Sequence, residues 1–101
     1  MPTFAYTVWP AREGMGPGSA TPEERAAIGE HWNYLVGLNA SGRVRFVGRS
    51  GSEPFVGTAV FEADDEATAR AVAEADPAVA KGVFAMRCQP YTIFFPEGSP
   101  A

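Results

Sequence analysis

The stretch Phe55–Phe61, FVGTAVF, carries apolar groups on both of its alternating faces. A strand of that kind is covered on both sides and belongs inside a sheet. Residues 3–9, TFAYTVW, share the character: Phe4, Tyr6 and Val8 point one way, and Thr3, Ala5, Thr7 and Trp9 the other. RVRFVGRS, at 43–50, alternates instead, with Val44 and Phe46 on one face and Arg43, Arg45 and Arg49 mostly opposite. Its polar, arginine-bearing face predicts an edge strand. VFAMRCQPYTIFF, at 83–95, reads as the last strand, with Pro90 marking an edge or a bulge because it has no N–H to donate.

Helices fill the gaps between these strands. In Thr21-Pro22-Glu23-Glu24, Thr21 suits the N-cap, Pro22 the first turn, and Glu24 completes a capping box. The helix is predicted to run to about Ser41, with Gly42 in the left-handed position that ends it. Ile28, Trp32, Leu35 and Leu38 fall on one face of it. Asp64 or Asp65 caps an alanine-rich helix at about 66–75, and Pro77 ends it, with a further short turn from Asp76-Pro77 to near Gly82. Gly51–Pro54 makes a hairpin turn, residues 10–20 form a long loop of the kind that serves as a lid or binding segment, and 96–101 read as a loose tail.

The resulting order, βαββαβ, predicts a single α+β domain over residues 1–101 with a ferredoxin-like antiparallel sheet and both helices on one face. On the other face Ala5, Trp9, Val47, Ala59 and Phe61 would make an exposed apolar patch, and such patches mark interfaces. A chain of 101 residues with nine prolines and eleven glycines also buries only about two-thirds of its unfolded surface. Both points predict a homodimer, a dimeric α+β barrel. With a net charge of −4 and no basic stripe, neither nucleic acid nor an anionic membrane surface is an expected partner. No apolar run nears the roughly 20 residues that span a bilayer. The opening MPTFAYTVW lacks the basic and long apolar regions of a leader, and the single cysteine, Cys88, suits a reducing compartment. Cytoplasmic localisation is the expectation.

His31 is the only histidine. It falls with the apolar face of the helix, as a packed core residue or as a placed acid/base. Asp76 follows a helix, where a bare carboxylate meets the negative end of the dipole. It can cap the turn that begins at Pro77, hold the His31 imidazole, or both. Arg49 and Ser50 stand in a Gly-Arg-Ser-Gly-Ser turn that is either an ordinary hydrated hairpin or a cradle for a carboxylate or phenolate. Tyr6 and Tyr91 offer hydroxyls, more often tethered within a core. Cys88 has nothing in sequence to activate it. No spaced metal-ligand set, phosphate loop or dinucleotide fingerprint is present, so no cofactor or metal is expected.

In this order, the strand TFAYTVW, the helix EHWNYLVGLNASGRV with His31, the strand end VGRS, the segment GTAVFEADDEATARAVAEADPAVAKGVF and the last strand make the chain resemble the YciI-like (YCII-related) family. The resemblance implies a dimeric ferredoxin-like α+β barrel and matches His31 and Asp76 to the family's paired His and Asp. It also implies lyase-like or dehydrochlorinase-like chemistry on small cyclic compounds without a cofactor. The leading expectation is therefore a cofactor-independent enzyme. His31 and Asp76 would transfer a proton in an elimination or isomerisation, and Arg49 and Ser50 would hold a small cyclic or anionic molecule. Competing expectations are a non-catalytic module that binds a small molecule and a cofactor-free oxygenase.

Overall fold

The structure is a computed structural model that describes residues 1–16, 18–52 and 54–96. The elements are β1 Thr3–Pro10, α1 Pro22–Ala40, β2 Val44–Arg49, β3 Gly57–Glu62, α2 Glu66–Glu74, α3 Pro77–Ala80 and β4 Phe84–Pro90. The four strands form one sheet in the order β2-β3-β1-β4, every neighbour antiparallel. The strands apolar on both faces, β1 and β3, are the central ones, and the arginine-bearing β2 is at an edge. This α+β architecture is compatible with the ferredoxin-like arrangement. Among the described residues no helix is long and apolar enough to cross a membrane.

Register decides what faces the helices. Phe4 lies opposite Phe61, and Tyr6 opposite Ala59 on one side and Cys88 on the other. These five side chains join Leu35 of α1 and Ala69 and Ala73 of α2 in a single core. Alanines on α2 let that helix lie close to the sheet.

The register of β2 corrects two expectations. Its pairing with β3 shifts between Val44, opposite Phe61, and Phe46, opposite Val60. The extra residue reverses the alternation, so Val44 faces the helices and Phe46 the opposite side. Val47 then pairs with Ala59 and shares the helix-facing side with it and with Phe61. Three members of the expected outer patch, Val47, Ala59 and Phe61, are thus not on the outer face. Ala5 is on that face but already 2% exposed, and Val60 beside it is fully buried. Tyr91 belongs to the same region: its N–H donates to the Thr3 carbonyl at 3.0 Å and its ring meets Phe46 at 6.4 Å.

The last strand is shorter than expected, ending at Pro90 rather than 95. The cause is its neighbour. Phe4 pairs with Pro90 and β1 begins at Thr3, so residues beyond Tyr91 have no strand to bond. Phe94 and Phe95 are left exposed. Of the expected loose tail, residues 97–101 lie outside the described residues.

The ends of α1 form as the sequence predicts. Thr21 Oγ1 accepts the Glu24 N–H at 3.1 Å, and Glu24 Oε1 accepts the Thr21 N–H at 2.8 Å. Ser41 is the C-cap, and Gly42 follows at φ +81°. A Cβ at Gly42 would meet nothing within 4 Å, so the cost of Gly42→Ala is purely conformational. A loss of about 1–2 kcal/mol is expected, read as a lower urea midpoint with an unchanged slope.

The middle of α1 is placed differently. Its predicted apolar face does not lie flat on the sheet: Leu35 is buried, but Trp32 is 62% exposed. The helix leans on α3, and no strand makes extended contact with it. Ile28, Trp32 and Leu35 look instead into the space that this leaves.

Candidate functional site

That space is a cavity of about 780 Å³. Its floor is Tyr6 and Val8 of β1 with Ala59 of β3, its roof is Arg25, Ile28, His31, Trp32 and Leu35 of α1, and Val47 and Arg49 of β2 line one side. The 11–20 loop closes part of another side with Met15, Gly16 and Ala20. Arg12 anchors this loop. Its Nε and Nη2 reach the two carboxylate oxygens of Glu24 at 2.7 and 2.8 Å, and Nη2 also donates to the Ser19 carbonyl at 3.0 Å. The Arg12 guanidinium holds the Glu24 carboxyl down at about 2. Met15 and Ala20 are buried, each 6% exposed.

At the α3 end of the cavity lies a buried polar cluster. Pro77 opens α3, and Asp76 is its N-cap, so Oδ1 accepts the Ala78 N–H at 3.0 Å. The other oxygen, Oδ2, accepts the Tyr6 hydroxyl at 3.0 Å and His31 Nδ1–H at 2.5 Å. Asp76 is fully buried, and a buried carboxylate needs such donors. Both sequence readings of Asp76 hold at once, one oxygen for each. The His31 ring stands edge-on to Phe84 at 5.1 Å, with its side chain 14% exposed. A carboxylate on Nδ1 places the neutral ring's proton there. Nε2 is then the basic nitrogen, on a ring that lines the cavity.

Tyr6 is the member of this cluster that the sequence leaves least marked, as a tethered core hydroxyl. It sits on the helix-facing side of a central strand, where a hydroxyl must find a buried acceptor. Burial, followed by the Asp76 charge and hydrogen bond, pushes its phenol far above the ordinary 10.0. Tyr34, which donates to the Val72 carbonyl at 2.6 Å, is raised by burial and then by Asp76. Burial also raises the Cys88 thiol above 9.0. A proton held more tightly in the folded than in the unfolded chain contributes stability that is complete below the unfolded value and lost as pH rises past it. The urea midpoint is therefore expected to fall as pH rises above about 9–10, and to fall less steeply in Tyr6→Phe.

Arg49 and Ser50 part company. Arg49 lines the cavity, its guanidinium carbon 5.0 Å from the centre of the Phe55 ring. Ser50 is not among the lining residues, and its Oγ accepts the Val56 N–H at 2.9 Å inside the hairpin turn. Arg25, Trp32 and Met15 line the cavity without having been singled out as site residues. Arg25 precedes Ile28 and Trp32 by three and seven residues, so extending the helical face backwards would have reached it. Among the described residues no group of three or more His, Cys, Asp or Glu could hold a metal ion.

An α+β sheet under a helix lifted over a largely apolar cavity, with an Asp-His-Tyr cluster at one end, defines the class of protein. A profile of the YCII-related domain matches residues 11–88, and the chain belongs to that family. No curated protein matches it.

Proposed function

We propose that the chain is a cofactor-independent enzyme that moves a proton on a small cyclic or anionic molecule held in the cavity beneath α1. His31 Nε2 is the base, and Asp76 is its positioning partner. The observation that carries this reading is the 2.5 Å bond from His31 Nδ1 to a fully buried carboxylate beside a cavity. The carboxylate fixes the tautomer and stabilises the imidazolium formed when Nε2 takes a proton from carbon. The electron pair left behind either expels a group from the neighbouring carbon or is reprotonated by the same imidazolium at another carbon. The first course is elimination and the second isomerisation. Arg49 is positioned to hold an anionic group, while Ser50 contributes through the turn that presents Arg49.

The test follows the proton itself. Small cyclic acids, enones and lactones are incubated with the protein in D2O, and loss of C–H signal is followed by NMR. Exchange catalysed at one carbon of at least one compound is expected, and its absence across the set, with ligands demonstrably bound, would favour a non-catalytic binding role.

The working unit is proposed to be a homodimer. Phe46 and Tyr91 on the outer face and the neighbouring Phe94 and Phe95 remain 40–88% exposed, which favours burial against a second copy. Sedimentation at micromolar concentration is expected to give twice the 10.7 kDa chain mass, and a single-chain mass would reject the dimer.

A further inference from the structure

The chain carries a net charge of −4, yet the two guanidinium groups in the cavity wall, those of Arg25 and Arg49, face no acid there. Arg25, His31 and Arg49 line it, and no acidic side chain does among the described residues. Arg25 enters from the first turns of α1 and Arg49 from the end of β2, so the two guanidinium groups belong to different walls. Among the described residues neither meets a carboxylate. Arg25 donates through Nε and Nη2 to a single carbonyl, that of Ala20, at 3.3 and 2.8 Å. Those bonds fix the plane of the group and leave the Nη1 edge to other acceptors. Arg49 rests on the face of Phe55, which orients it by cation–π attraction and supplies no counter-charge. The rest of the wall is mostly apolar and partly aromatic, with Trp9, Trp32, Phe55 and Phe84.

We infer that Arg25 and Arg49 form a two-armed anion site, and that the ligand is a small aryl or cyclic carboxylate whose ring lies among these aromatic side chains. A guanidinium facing an apolar cavity gains most from a charged acceptor, and a carboxylate suits its paired N–H groups. A cavity of about 780 Å³ has room for one such ring with its substituents. The anionic end would then set which carbon of the ring stands at His31. Arg25 is thereby a specificity residue that the helix capping and the polar cluster do not require. The assignment of ligand class rests on the cavity being the reaction site, while the anion site itself can be measured without any reaction.

Binding is read from the fluorescence of Trp9 and Trp32, with benzoate and phenylacetate titrated against the isosteric neutral probes benzamide and phenylacetamide. The carboxylates are expected to bind at least about 10-fold tighter than the amides, and Arg25→Gln and Arg49→Gln to weaken them about 10–100-fold each. Arg70→Gln removes the same charge from α2, outside the cavity, and is expected to change affinity less than about twofold. Equal affinity for acid and amide, no binding of either acid up to about 10 mM, or undiminished binding in both cavity variants would overturn the inference. His31→Gln separates this from the proposed reaction, because it is expected to keep carboxylate binding while losing exchange. Selective carboxylate binding without exchange in the parent protein would sink the reaction and leave the anion site standing. Exchange confined to neutral compounds would do the reverse.

Discussion

Asp76→Ala is expected to lower folding stability by about 3–5 kcal/mol, the range found when one partner of a buried ionic cluster is removed. Three donors converge on this carboxylate: the Ala78 N–H, the Tyr6 hydroxyl and His31 Nδ1. Alanine leaves all three facing a void where water has little access, and each buried donor without an acceptor costs about 1–3 kcal/mol. The loss also reaches beyond the cluster, since Asp76 ties α3 to β1 through Tyr6 and to α1 through His31. A domain of this kind has only about 5–15 kcal/mol in total, so the variant is expected to remain folded in buffer but to unfold at a much lower urea concentration. Asp76→Asn keeps the size and the oxygen that caps Ala78, but offers an amide N–H where Tyr6 and His31 also donate. A loss of about 1–3 kcal/mol is expected for it. If Asp76→Ala cost less than about 1 kcal/mol, the carboxylate would not be holding these elements together.

Much of the fold was legible because the signals were local. Thr21, Pro22, Glu24 and Gly42 each make a bond or occupy a dihedral region that a few neighbouring residues specify, and the helix ends fall where they indicate. The central strands were legible because burial on both faces leaves a continuous apolar run in β1 and β3. The bulge in β2 was not. Arg45 looks like one more alternating residue, and only the pairing of Phe46 with Val60 reveals that the face has switched. The end of β4 was hidden for a related reason. YTIFF has every strand preference, but strands need partners, and β1 begins too late to supply one.

The candidate site divides in the same way. His31 and Asp76 were legible because each is chemically conspicuous where it stands, and the fold brings them within a hydrogen bond. Arg49 was legible from its turn. Ser50 was not separable from it, because the competition between a ligand and the Val56 N–H for one hydroxyl depends on the hairpin's three-dimensional path. Trp32 shows the limit most clearly. Periodicity identifies a helix face, but cannot say whether that face meets a sheet or an opening. Here α1 leans on α3, and the same apolar side chains become a cavity wall.

His31→Asn carries the sharpest test of the proposed chemistry. The asparagine amide N–H can take the place of Nδ1–H, so the bond to Asp76 and the tie between α1 and α3 survive. Nothing takes the place of Nε2. Stability is therefore expected to change by no more than about 1 kcal/mol, while deuterium exchange falls about 10²–10⁴-fold, the range that a positioned general base supplies. His31→Gln removes the Asp76 bond as well, so it is expected to lose exchange to the same degree and additional stability. The two variants together distinguish a base from a structural histidine. A histidine that only anchors α1 to Asp76 would leave exchange intact in His31→Asn and reduce it in His31→Gln only as far as folding is reduced. Equal loss of exchange in both, with stability kept in one, is the pattern that proton transfer at Nε2 requires.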